Sequence, residues 1–145
     1  MLLAEALIEK EYIEESIDGV NEYIYNLLKY TDRAKLSKDI IEKGFEELDT
    51  LYREYQRFAI SISRVESQAM IKINDTELSL RDCRIMEDAM YEKLSNLESI
   101  LEGSWNSGPG DIVCGNIMAA IEEIRLDIKT IDTKIEAALW NTEVN

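Results

Sequence analysis

Three arginines and one loop carry the residue types best suited to chemistry in this chain. Arg64, Arg81 and Arg84 offer forked guanidinium groups of the kind that match phosphate or carboxylate. The run Gly103-Ser104-Trp105-Asn106-Ser107-Gly108-Pro109-Gly110 reads as a glycine-rich loop entering a helix. Unpaired backbone N–H groups at such a junction suit an anion. Trp105 supplies a flat face for stacking, and Asn106, Gly108 and Gly110 complete the loop side of the site. The loop is not a P-loop, because it lacks the Gly-Lys-Ser/Thr ending. The expected ligand-binding set is therefore Arg64, Arg81, Arg84, Trp105, Asn106, Gly108 and Gly110. The simpler alternatives are that the arginines pair with carboxylates of neighbouring helices and that the loop merely joins two helices.

Catalysis has little to work with. The chain has no histidine, which removes Ser-His-Asp and Cys-His machinery and any His-ligated metal. Ferritin-type di-iron sites need Glu-x-x-His pairs. Glu122, Glu123 and Asp127 share a helix, but such a charge run reads as a solvated face. The expectation is a protein that is not an enzyme, with no metal and no cofactor. Cys83 and Cys114 are isolated, with no CxxC pair, and fit a reducing compartment.

Charge narrows the partners. The net charge is −14 over 145 residues, with 30 acidic and 16 basic side chains. Such a chain repels nucleic acid and anionic membrane unless its bases cluster. They do so mildly: residues 53–84 hold Arg53, Arg57, Arg64, Lys72, Arg81 and Arg84 against Glu54, Glu66, Asp75, Glu77 and Asp82. Acids interrupt any signal-like apolar region near the start, and no apolar run is long enough to span a membrane. The expected location is cytoplasmic, in a bacterium or an infected host cell.

The elements that must position these residues are helices. Leu3, Ala6, Lys10, Ile13, Ile17, Val20, Ile24 and Leu27 follow an alternating 3/4 spacing, with Lys10 the misfit. Gly19 inside that helix implies a bend or the close approach of a partner backbone. A second stripe runs Ile41, Phe45, Leu48, Tyr52, Tyr55, Ala59 and Ile62, and Ser37 is a plausible cap. Between 69 and 80 the period changes around Asn74-Asp75-Thr76, which predicts a short hairpin or irregular corner. Ser79 and Asp82 form a capping-box-like start for a third helix striped by Leu80, Cys83, Met90, Leu94, Leu97 and Leu101. The fourth carries Ile117, Ile121, Ile124, Ile128, Ile131, Ile135 and Ala138. Isoleucine at both seam positions favours three or more strands, if this is a coiled coil. The reading is all-α: one domain over residues 1–145, an antiparallel bundle of three to four long helices (about 2–30, 38–67, 79–102 and 111–141) with coiled-coil-like packing.

Leu3-Ala4-Glu5-Ala6-Leu7-Ile8-Glu9-Lys10 resembles the opening of the septicolysin-like family of small helical bacterial and phage proteins. Ile62-Ser63-Arg64-Val65-Glu66-Ser67 is similar to that family's Ile-Asn-Arg-Thr-Asn corner, keeping its Ile and Arg but neither Asn. Leu78-Ser79-Leu80-Arg81-Asp82 is similar to its Thr-Leu capped helix. The resemblance covers roughly residues 2–101. It implies an all-helical bundle and no established reaction.

These readings combine into an expected function. The chain is a non-enzymatic homo-oligomer, trimer or larger, that holds a small anionic, nucleotide-like ligand between subunits. That is the habit of a phage-type protein sequestering a host signal. The alternatives are a coiled-coil interaction protein without a small-molecule ligand, and an acidic nucleic-acid mimic that occupies a basic partner. Binding of nucleic acid or membrane by the chain itself is not expected.

Overall fold

The computed structural model describes residues 1–32, 37–107 and 111–145, and of residues 104–107 and 111 the backbone alone. The described chain is mostly helical with one small two-stranded sheet. In order, the elements are α1 (Leu3–Tyr30), α2 (Lys38–Gln68), β1 (Met70–Ile73), β2 (Thr76–Ser79), α3 (Leu80–Ser107) and α4 (Asp111–Leu139). They form two compact units, residues 1–65 with 143–145, and residues 66–142.

In the first unit α1 starts where the Glu5 carboxylate accepts the Leu2 N–H at 2.8 Å. A negative side chain in the first turn also suits the helix dipole. The expected stripe is the buried one: Leu3, Ala6, Ile13, Ile17 and Ile24 are all in the core. Lys10 sits on that seam without breaking it. Its ammonium pairs with Glu14 at 3.2 Å and lies 5.4 Å from the centre of the Tyr55 ring. Its aliphatic stem can then follow the apolar seam. The C-terminal tail returns to this unit, where Leu2 bridges Glu143 and the Val144 N–H donates to Met1 O at 2.8 Å.

The α2 seam differs from the expected one. Ile41, Leu48, Tyr55 and Ile62 turn inward as predicted, but Phe45 and Tyr52 are exposed. Gly44 and Leu51, one residue earlier, take their places, and Phe58 and Val65 continue the same line while Ala59 stays half-buried as expected. Gly44 is the reason. A Cβ there would meet Ile24 Cδ1 at 2.9 Å, so α1 lies closer at this point than a side chain allows. Gly19 behaves oppositely: nothing lies within 4 Å of where its Cβ would be, so no described backbone approaches it.

The second unit begins with the hairpin. β1 and β2 pair antiparallel, Met70 opposite Ser79 and Ile73 opposite Thr76. Asn74 and Asp75 have φ of 49° and 66°, the left-handed pair that a two-residue type I′ turn requires. Asn and Asp tolerate that region better than other side chains. The Ser79 hydroxyl then accepts the Asp82 N–H at 3.1 Å and caps α3 as predicted.

Helix α3 runs to Ser107, beyond the expected end near 102. Residues 103–107, read from the sequence as loop, continue the helix, because one glycine costs only about 1 kcal/mol in a helix already under way. Residues 108–110 lie outside the described residues. Helices α3 and α4 pack along each other, with Glu98 meeting Arg125 near one end and Glu87 meeting Asp132 further on, so they run in opposite directions. Ile121, Ile124, Ile128, Ile131 and Ile135 are all buried on α4, with Leu80 and Cys83 on α3. The Lys134 ammonium donates to the Lys72 carbonyl at 2.6 Å and ties the hairpin to α4.

Candidate functional site

The structure places the predicted arginines on two helices. Arg64 lies near the end of α2 in the first unit, whereas Arg81 and Arg84 lie in the first two turns of α3 in the second. Arg84 Nε stands 3.0 Å from Glu66 Oε1, and both side chains are partly shielded. That pairing follows the simpler expectation, in which an arginine answers a nearby carboxylate. Arg64 and Arg81 are exposed at residue level and each has an interaction of its own. Of the loop residues, Trp105 and Asn106 belong to the backbone of the last turns of α3. Gly108 and Gly110 lie outside the described residues.

A different group of charged side chains converges on the α3–α4 seam. The α3 seam repeats at 80, 83, 87, 90, 94, 97 and 101, and the residue at 87 is Glu. Glu87 Oε2 is buried and meets no hydrogen-bond donor. Burial pushes its carboxyl above the ordinary carboxylate range, because the charged form loses water. Asp132 raises it further, by hydrogen bonding the protonated form and repelling the ionised one. Asp88 adds repulsion, and Arg84 pulls the other way. The result is a row of charges: Glu66 at the end of α2, Arg84 and Glu87 on α3, and Asp132 on α4. The sequence carried one signal of it, the gap between Cys83 and Met90 in the α3 stripe, but nothing there gave Asp132 as the neighbour.

None of the three described grooves is lined by Glu87 or Asp132. One lies between Met1, Arg57, Phe58, Ser61 and the tail residues Val144 and Asn145. A second, floored by Leu101, Met118 and Ile121, is bridged by Arg125, which stands 3.0 Å from Glu98 and 3.8 Å from Glu122. The third holds Glu14, Ile17, Asp18, Tyr52 and Tyr55. Cys83 is buried, and burial followed by the neighbouring Asp82 charge raises its thiol, which therefore keeps its proton. Among the described residues no group of three or more metal-ligating side chains is gathered.

What the helices present outward is more apolar than their seams require. Ile85, Tyr91 and Ile100 on α3, and Ile112, Val113, Met118 and Leu126 on α4, all face water. So do Ile8, Tyr12, Tyr23 and Tyr30 on α1. No described helix is long and apolar enough to cross a membrane. No protein-family model, no curated protein and no solved structure matches the chain.

Proposed function

We propose that this chain is a non-enzymatic, self-associating helical interaction protein, whose antiparallel, coiled-coil-like seams hold each unit together and whose outward apolar faces bind further helices. One observation carries the reading: on α4, Ile112 is 80% exposed and Leu126 is 65% exposed although the same helix has a complete isoleucine seam. Apolar side chains in excess of what the fold consumes mark contact surface when they cluster. The pairing of Arg84 with Glu66 places the weight on these faces rather than on an anion pocket, since a phosphate would have to displace a carboxylate already in position.

The test is the solution mass by light scattering over a hundredfold range of concentration. A mass above one chain at micromolar concentration is expected. Association should strengthen with salt, because each copy carries −14 and screening reduces the mutual repulsion. A chain that stays monomeric at every concentration and ionic strength overturns the reading.

A further inference from the structure

The first helix has a second face that its own unit does not use. Ile8, Tyr12, Gly19, Tyr23 and Tyr30 follow one another at spacings of 4, 7, 4 and 7, which places them along one side of α1, away from the Ile13–Ile17–Ile24 seam. The side chains on this line are open to water, Tyr12 at 66% and Tyr30 at 73%. Gly19 in the middle meets nothing within 4 Å. Beside the line runs an acidic row, Glu11, Glu15, Asp18 and Glu22, spaced 4, 3 and 4. All four are exposed. None takes part in the ion pairs or side-chain hydrogen bonds found among the described residues, and the two α1 cations are engaged elsewhere, Lys10 with Glu14 and Tyr55 and Lys29 over the Tyr25 and Tyr30 rings.

An apolar line flanked by uncompensated carboxylates at helical spacing is the complement of one particular surface. We infer that this face of α1 docks a basic amphipathic helical segment of a partner protein, one with leucine-like residues on one side and lysine or arginine along the adjoining ridge. Tyr12 and Tyr23 give the docked helix broad contact area at low entropic cost. The Gly19 gap lets a bulky partner side chain reach the α1 backbone. The row from Glu11 to Glu22 pairs with the partner's cations and fixes its register, as flanking charges do in coiled coils. A second copy of this chain is the poorer occupant of this face, because it would set the acidic row against its own counterpart.

The inference does not depend on self-association, and its test separates the two. The probe is a synthetic leucine–lysine amphipathic helix, fluorescently labelled and titrated with the full chain at 150 mM salt. Saturable micromolar binding is expected. Tyr12→Ala with Tyr23→Ala, which changes no charge, should weaken it at least tenfold, as should Glu15→Gln with Glu22→Gln. The control Glu123→Gln with Asp127→Asn removes the same charge from exposed positions of α4 and should weaken it less than twofold. Equal loss in the control, or none in the tyrosine variant, reduces the binding to bulk charge attraction and overturns the inference. So does loss of the chain's own oligomer in the tyrosine variant, which would assign the face to a second copy. Circular dichroism melts confirm that each variant is folded, since every substituted side chain is exposed.

Discussion

The two helix pairs carry apolar stripes at the same 3/4 spacing and use them differently. In the α3–α4 pair the seam on α4 is five buried isoleucines, and the residues between them are polar or charged except for the exposed Leu126. In the α1–α2 pair the α2 seam holds a glycine and two aromatic residues, and only Gly44 and Ile62 are fully buried. The first arrangement has one way to pack. The second had two, because α2 has apolar residues on both sides of its line: Phe45 and Tyr52 on one, Leu51, Phe58 and Val65 on the other. A stripe bordered by polar residues fixes its own face, whereas a broad stripe leaves the choice to the neighbour. Each pair also carries one charge on its seam, and the solutions diverge. Lys10 escapes to Glu14 and the Tyr55 ring, while Glu87 stays between Asp132 and Arg84.

The sharpest way to break this contrast is to remove a seam residue from the tighter pair. Ile131 is 2% exposed. Ile131→Ala should cost about 2–5 kcal/mol in urea unfolding, since buried isoleucine leaves a cavity behind. A loss under about 1 kcal/mol would mean that α4 is not locked as described. Gly44→Leu comes next. It drives a side chain into Ile24 and should destabilise by about 1–3 kcal/mol, the usual cost of overpacking. A stabilised variant would show that α1 and α2 are free to separate there. Ser79→Ala removes the cap of α3 and should lower stability by about 1 kcal/mol, with the Asp82 amide losing its protection from hydrogen exchange.

The smallest effect distinguishes the two seam charges. Glu87 has a raised carboxyl in the folded state, so the folded chain binds its proton more tightly than the unfolded one. Its contribution to stability is therefore present below the ordinary glutamate range and is lost as pH rises through the raised value. Glu87→Gln, which keeps the shape and removes the charge, should raise the melting temperature at neutral pH and leave it unchanged in acid. If the melting curves of wild type and Glu87→Gln shift in parallel with pH, the carboxyl is not held above its ordinary range.

Much of the architecture was readable from residue order. The 3/4 spacing on α1 and α4 named the buried faces, and Ser79 three residues before Asp82 marked the start of α3. Asn74-Asp75 marked a turn between two short apolar runs, and the structure resolves the choice between corner and hairpin in favour of the hairpin. Less of the candidate site was readable. The sequence grouped Arg64, Arg81 and Arg84 by distance along the chain, but nothing in it gave Glu66 as the carboxylate that answers Arg84. The Glu87–Asp132 pair joins residues far apart in the chain, which no spacing rule connects.

The sequence by itself determined that the chain is helical, where its helices begin, and that it is strongly acidic, because these depend on local periodicity, capping and composition. Only the tertiary structure decided which of two α2 faces turns inward, which carboxylate answers Arg84, and which apolar side chains remain in water. Those outcomes depend on the neighbour that each face meets, and a periodic pattern specifies a face without specifying its neighbour.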